Sequence, residues 1–158
     1  MALKGTDRLT RKMRRMPPEV RAQAQEDVLK GAQDVAETAR QLVRSRTGRL
    51  KRSIGAVAGD APATRATQAL RGGGRKGLKT DTDAIYATAY AGDDDAYYAG
   101  WVENGTAPHK QGGKFKGTHH PGTAAQPFFF PAFRANKKRA KSRIARGIRK
   151  AIKKAAQG

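Results

Sequence analysis

The sequence predicts an α+β protein: a long N-terminal helix, strands in the middle, a C-terminal helix, a long flexible loop and basic termini. Three observations predict this. Val28, Ala32, Val35, Ala39 and Leu42 recur at helical spacing; Ala84 to Ala91 alternates like a strand; Phe133, Ala140, Ile144, Ile148 and Ile152 mark a last helix. At 158 residues, one compact domain is expected. Its parts are a basic arm over 1–16, an α+β domain over 17–136 containing a mobile loop over 59–83, and a basic helix or tail over 137–158.

The first helix has a start signal in Pro17-Pro18, because proline suits the first turn, where its missing N–H leaves no bond unmade. Val20, Ala24, Ala36 and Val43 flank the stripe, with Glu19, Glu26 and Asp27 toward its N-terminal end and Arg40 and Arg44 near its C-terminal end, as the helix dipole prefers. A helix from Pro18 to Arg46 would be about 43 Å long, and Gly48 reads as its stop. Thr47 to Ile54 follows, with Leu50 and Ile54 four apart, a short helical turn or the start of a strand. Ile54, Ala56 and Ala58 alternate weakly.

Gly59 to Asp83 reads as a long hairpin tip or a disordered arm, with Gly72-Gly73-Gly74 at its centre and Arg71, Arg75, Lys76 and Lys79 around it. A phosphate-cradling loop is the sharper alternative, but the Walker spacing and a preceding apolar strand are both missing. In the strand over 84–91, Ile85, Ala87, Ala89 and Ala91 share one face and Tyr86, Thr88 and Tyr90 the other. A turn at Gly92-Asp93-Asp94-Asp95 leads to the densest aromatic block, Tyr97 to Thr106, read as a helical turn followed by a strand end. Ala107 to Gly122 reads as loop. Pro127 to Pro131 is an apolar plug of three phenylalanines between prolines, and the last helix follows it.

Leu, Ile, Val and Phe together number 23 of 158 residues. That is a thin core for a chain of net charge +20, and completion by neighbouring subunits would relieve it. The charge is uneven: +8 over 1–54, +1 over 55–130 and +11 over 131–158, where eleven Lys and Arg meet no acid. Such an extension suits a nucleic acid, an acidic protein surface, or plain solvation. Lys137, Lys138, Arg139, Lys141, Arg143, Arg146, Arg149, Lys150, Lys153 and Lys154 are the expected contacts to DNA phosphates or to an acidic partner. Like charges at i, i+4 predict that the far end frays or needs an anionic partner. Removal of 137–158 is expected to spare the fold.

No cysteine is present, which excludes disulfides and thiolate chemistry. No apolar run approaches the roughly 18 residues of a membrane span. Met1 to Met16 is Arg-rich and acid-poor in the manner of a mitochondrial presequence, against which Asp7, Pro17 and Pro18 count. His109, His119 and His120 with Glu103 are the first candidate metal set, and solvated loop histidines are the simpler reading. Asp93-Asp94-Asp95 lacks the glycine and terminal glutamate of a calcium loop. No Gly-x-Ser-x-Gly occurs among the three serines, and Glu103 has no paired carboxylate. No catalysis, metal or cofactor is therefore expected.

Three motifs occur in a telling order: Thr47-Gly48-Arg49-Leu50-Lys51-Arg52-Ser53-Ile54, Tyr98-Ala99-Gly100-Trp101-Val102-Glu103-Asn104-Gly105-Thr106, and His120-Pro121-Gly122-Thr123-Ala124-Ala125-Gln126-Pro127-Phe128, the last leading through Phe130-Pro131-Ala132 into the final helix. From about Pro17 to Ala140 the chain resembles the head–tail joining family of long-tailed bacteriophages, which includes neck and tail-component proteins. The resemblance implies helices packed on a small, mainly antiparallel sheet. It also implies a structural virion protein, assembled in the host cytoplasm, that forms a ring around the DNA channel at the head–tail junction. Six copies are the first expectation and twelve the second. The implied neighbours are head-completion or connector proteins on one side and tail-terminator or tail-tube proteins on the other.

In that light Gly48, Leu50, Tyr98, Trp101, Glu103, Gly105, Thr106, Pro127, Phe128 and Pro131 are expected as core or subunit-interface anchors. Trp101 reads equally as a plain core aromatic, and Glu103 as a partner for an arginine of the next subunit. Alternative roles are tail termination or completion and, in another class, sequence-nonspecific nucleic-acid binding by the lone protein.

Overall fold

The computed structural model describes residues 17–44, 47–64, 69–73 and 84–157. The basic arm over 1–16, Arg46 and most of the predicted loop, including Gly74, Arg75, Lys76 and Lys79, lie outside the described residues. Among those described, the elements run α1 (Pro18–Leu42), α2 (Arg49–Arg52), β1 (Gly55–Ala58), β2 (Leu70–Gly73), β3 (Ala87–Ala91), α3 (Ala99–Asn104), β4 (His109–Lys110), β5 (His119–His120) and α4 (Phe129–Ala155). This is the α+β arrangement expected. Two long helices pack on one another, and α1 also lies on an antiparallel sheet of order β1-β3-β2.

α1 starts where Pro17-Pro18 predicts, with Val20 and Arg21 amides bonding back to the Pro17 carbonyl. It stops at Leu42, earlier than expected, because Val43 turns to extended backbone. Gly48 does not end it. With φ 76 it is the left-handed residue before α2, a conformation that a Cβ would strain. The buried face is also rotated from the predicted stripe. It runs through Val20, Ala24, Asp27, Gly31, Val35, Ala36 and Ala39, while Val28 and Ala32 are half-buried and Leu42 is 48% exposed.

The reason lies in α4, which runs antiparallel to α1 and meets it through small and polar residues. Asn136 Nδ2 donates to the Thr38 hydroxyl (2.8 Å), Arg139 and Arg143 reach Asp34, Ala140 Cβ lies against Gly31, and the Asp27 carboxylate covers Gly147. A Cβ built on Gly31 would stand 3.0 Å from that of Ala140, and one on Gly147 would collide with Asp27. Glycine at 31 lets Ala140 approach α1 closely, and glycine at 147 leaves room for the Asp27 carboxylate.

In the sheet, β3 is central and pairs Gly55 with Tyr90 on one side and Leu70 with Ala91 on the other. The Tyr90 ring fills the space over Gly55, an aromatic covering a glycine across the strands. Leu70–Gly73 therefore belongs to a strand, although it falls within the predicted 59–83 loop. No β-forming pattern announces it, and its register is supplied by β3. The core gathers Val35, Ala36, Ala39, Val43, Leu50, Ile54, Leu70, Ala89, Ala91, Ala96, Ala99, Phe128, Phe129 and Ala132. Seven of these fourteen are alanine, so little apolar area is buried per residue, as the composition forewarned. α4 runs unbroken past residues 136 and 137 to Ala155.

Candidate assembly surfaces

The second and third sequence motifs form one structural unit. Thr106 and Thr123 exchange backbone hydrogen bonds of 3.0 and 3.1 Å, and Gln126 N–H donates to the Val102 carbonyl at 2.8 Å. Gly105, at φ 70, lies so close to the Thr123 carbonyl and Ala125 amide that no side chain would fit between them.

At the centre stands Glu103, 3% exposed. Its Oε2 accepts from the amides of Phe128 (2.7 Å) and Phe129 (2.8 Å), and its Oε1 from that of Phe130 (2.9 Å). A helix leaves its first four N–H groups without intrahelical partners. Here the fourth position is Pro131, which has no N–H, and the next amide, of Ala132, already bonds to the Phe128 carbonyl. One carboxylate therefore satisfies every orphan donor of α4. Its negative charge also sits at the positive end of the helix dipole. The pairing with an arginine of the next subunit is corrected on this geometry: both carboxylate oxygens are engaged within the chain and shielded from solvent.

The first motif adjoins this unit. Ser53 Oγ donates to the Leu50 carbonyl and accepts the Gly92 amide, and Arg40 Nη2 donates to the Ile54 carbonyl at 2.6 Å. Leu50, Tyr98, Trp101, Val102, Thr106, His109 and His120 then line a cleft of about 550 Å³ whose further walls include Arg44 and Thr123. Trp101 is 42% exposed and meets Tyr97 edge to face, 5.7 Å between ring centroids. It is a surface aromatic, which corrects the core reading. Tyr98 is half-buried against the core. Among the other expected anchors, Leu50 and Phe128 are buried, Gly48, Gly105, Thr106 and Pro131 are half-buried, and Pro127 is exposed.

His109 and His120 face each other across β4 and β5 and stack at 5.1 Å. His120 Nδ1 accepts the Gly122 amide (2.9 Å), and His109 Nδ1 lies 3.0 Å from the Ala107 carbonyl. His119 pairs with Lys110 in the same ladder. Among the described residues, no three His, Cys, Asp or Glu side chains converge as metal ligands. No described helix is long and apolar enough to cross a membrane.

Of the ten predicted cations on α4, Arg139 and Arg143 are engaged by Asp34, at 3.1 and 2.7 Å from its Oδ2. Arg143 Nη1 is buried and off-line for a hydrogen bond, so this contact is an ion pair. Burial pushes the Asp34 carboxyl up, but the Arg139 hydrogen bond and the charges of both arginines outweigh it and hold the carboxyl below its ordinary value. Lys137, Lys138, Lys141, Arg146, Arg149, Lys150, Lys153 and Lys154 are exposed. Arg134, Lys138, Lys141, Arg149 and Lys153 fall on one stripe opposite Ala132, Asn136 and Ala140, spanning about 28 Å.

Sequence reasoning missed Asp27, Gly31, Asp34, Thr38 and Asn136 as the partners that bind α4 to α1. The one available signal was glycine inside two helices, at 31 and 147, where it is costly unless a close approach requires it.

Comparison with curated proteins finds no match, and comparison with solved structures finds none either. A family model does match, over residues 7–105, and its family is described as "Bacteriophage HK97-gp10, putative tail-component". That stretch holds α1, the sheet and the Tyr98–Gly105 motif, and ends before α4. With well over half its length matched, the chain belongs to this bacteriophage tail-component family, a family of structural proteins of the virion.

Proposed function

We propose that the chain is a neck subunit that closes into a ring of six copies at the head–tail junction, around the channel through which DNA passes. Its neighbours are a connector or head-completion ring on one side and a tail-terminator or tail-tube ring on the other. It carries out no catalysis. The observation that carries this reading is the union of a thin, alanine-rich core with a rod of uncompensated positive charge that is firmly seated at one end. A small body of this kind gains stability from its neighbours. The cations on α4 make sequence-blind contact with phosphates.

Deletion of 137–158 is a poor test, contrary to the sequence-based expectation, because it strips Ala140, Arg143 and Gly147 from α1. The better test replaces Lys138, Lys141, Arg149 and Lys153 with Gln. These four are exposed, so stability should change by less than about 0.5 kcal/mol. DNA affinity of the assembled particle should fall, and the slope of log affinity against log salt should shrink by about 3 to 4. Unchanged DNA binding would sink the channel-facing role of α4. Mass in solution at high salt checks the ring itself: a monomer of 17.1 kDa that binds DNA tightly favours the nucleic-acid-binding alternative.

A further inference from the structure

We propose that Phe115 of one copy seats in the aromatic cleft of the next, with the lysines around it placed over the Asp93–Asp95 turn. This contact rests on the self-assembly proposed above and names its interface. Phe115 is 63% exposed, the most exposed large apolar side chain among the described residues. It closes a single 3-10 turn, Gly113–Phe115, at the tip of the β4–β5 hairpin. The tip is braced from within. Gln111 N–H donates to the Thr118 carbonyl (2.8 Å), Thr118 N–H donates to the Phe115 carbonyl (3.1 Å), and the Thr118 hydroxyl lies 2.7 Å from that same oxygen. An apolar group held out on a braced turn loses little conformational freedom on docking.

The cleft offers the complementary chemistry. Leu50, Tyr98, Trp101 and Val102 supply an apolar wall. The turn that leads into that wall carries three consecutive exposed acids, Asp93, Asp94 and Asp95, of which Asp94 already accepts from the Thr64 hydroxyl at 2.7 Å. It is held by the Asp95 and Ala96 amides donating to Asp93 Oδ1. They are the only exposed acids between residues 84 and 157. The hairpin, by contrast, bears exposed Lys110, Lys114 and Lys116, and no acid follows Glu103 in the chain.

Two copies of a chain with net charge +20 repel one another. A stable contact between them must set cations against carboxylates, and this pairing does so around an apolar centre. The cleft is lined by His109 and His120 at the base of its own hairpin and not by Phe115 at the tip. Tip and cleft are thus two different patches of one surface. Their contact is head-to-tail, the kind that closes into a ring when the rotation allows.

The chain has no cysteine, so engineered thiols report without background. Phe115→Cys and Ala124→Cys, the latter an exposed position lining the cleft, are purified separately, mixed and treated with a short thiol–thiol cross-linker. The expected product is a 115–124 dimer formed only in the mixture. In parallel, native mass spectrometry compares the unaltered chain with Phe115→Ser, which should keep its fold by circular dichroism and associate at least tenfold more weakly. Multimers of the unaltered chain that yield no 115–124 product, or that survive Phe115→Ser, overturn this contact and leave the ring standing. Products joining 115 to 115 also overturn it. A single-subunit mass at every concentration, with no cross-link, overturns the contact and the ring together.

Discussion

The two ends of α4 are built on opposite plans. Its first turn is fixed entirely by tertiary contact: Phe128, Phe129 and Ala132 are buried, and Glu103, 25 residues upstream of Phe128, accepts all three of its orphan amides. Its last turns, past Gly147, carry Arg149, Lys150, Lys153 and Lys154 in exposed positions with no acid among them. The buried end fixes where the helix points, and the exposed end fixes what it meets. A long cationic helix is a poor structure on its own, because like charges along it repel. Anchoring one end and laying the middle along α1 lets the fold carry that repulsion.

The contrast is broken most severely at the anchored end. Glu103→Ala should cost about 3 to 5 kcal/mol, because three buried amides lose a charged acceptor at once. Urea denaturation followed by circular dichroism measures it. A loss below about 1 kcal/mol would mean that water replaces the carboxylate and that the seat is not what orients the rod.

The middle of the helix gives a test of sign. Gly→Ala within a helix normally gains up to about 1 kcal/mol. At Gly147 the new methyl meets the Asp27 carboxylate, so Gly147→Ala should instead destabilise, by about 1 to 3 kcal/mol. Adding Asp27→Ala should recover most of that loss in a double-mutant cycle. A stabilising Gly147→Ala alone would show that the Asp27 carboxylate swings clear of position 147 at little cost.

The smallest effect concerns the ion pairs between these regions. The Asp34 carboxyl titrates lower in the folded chain than in the unfolded one, whose value lies near 3.8. Its contribution is therefore fully present above that pH and is lost as pH falls through the lower folded value. With Arg139 65% exposed, solvent screening limits the contribution to below about 1 kcal/mol. Stability measured from pH 5 down to 2 should fall slightly less steeply in Asp34→Asn than in the unaltered chain. Identical slopes would assign the acid sensitivity elsewhere.

Local patterns carried the legible part of this fold. The alternation of Ala87, Ala89 and Ala91 marked β3 and Pro17-Pro18 marked the start of α1, while α4 begins at Phe129, inside the phenylalanine plug and not after it. What escaped was nonlocal. Glu103 reads as an ordinary acid in an aromatic block until the chain folds Phe128 onto it. Gly72 and Gly73 become a strand only because β3 offers a partner edge. Hydropathy taken alone assigns Leu42 to the buried stripe, yet it is exposed. The real phase follows Asp27, Gly31 and Asp34, whose value lies in close approach and charge. Of the expected assembly residues, Trp101 on the cleft wall and the exposed lysines of α4 lie at the surface of the subunit, whereas Glu103 and Phe128 hold the subunit itself together.

The seat at Glu103 and the strip of contacts from Thr38–Asn136 to Asp27–Gly147 also have a mechanical meaning. Load applied at the cationic tip is shared along a strip of twelve residues, about 16 Å from first to last, and delivered to α1 in shear. Contacts loaded together in shear resist more than contacts peeled apart one by one. Such a splice holds the cationic end of α4 to the body more firmly than a hinge would.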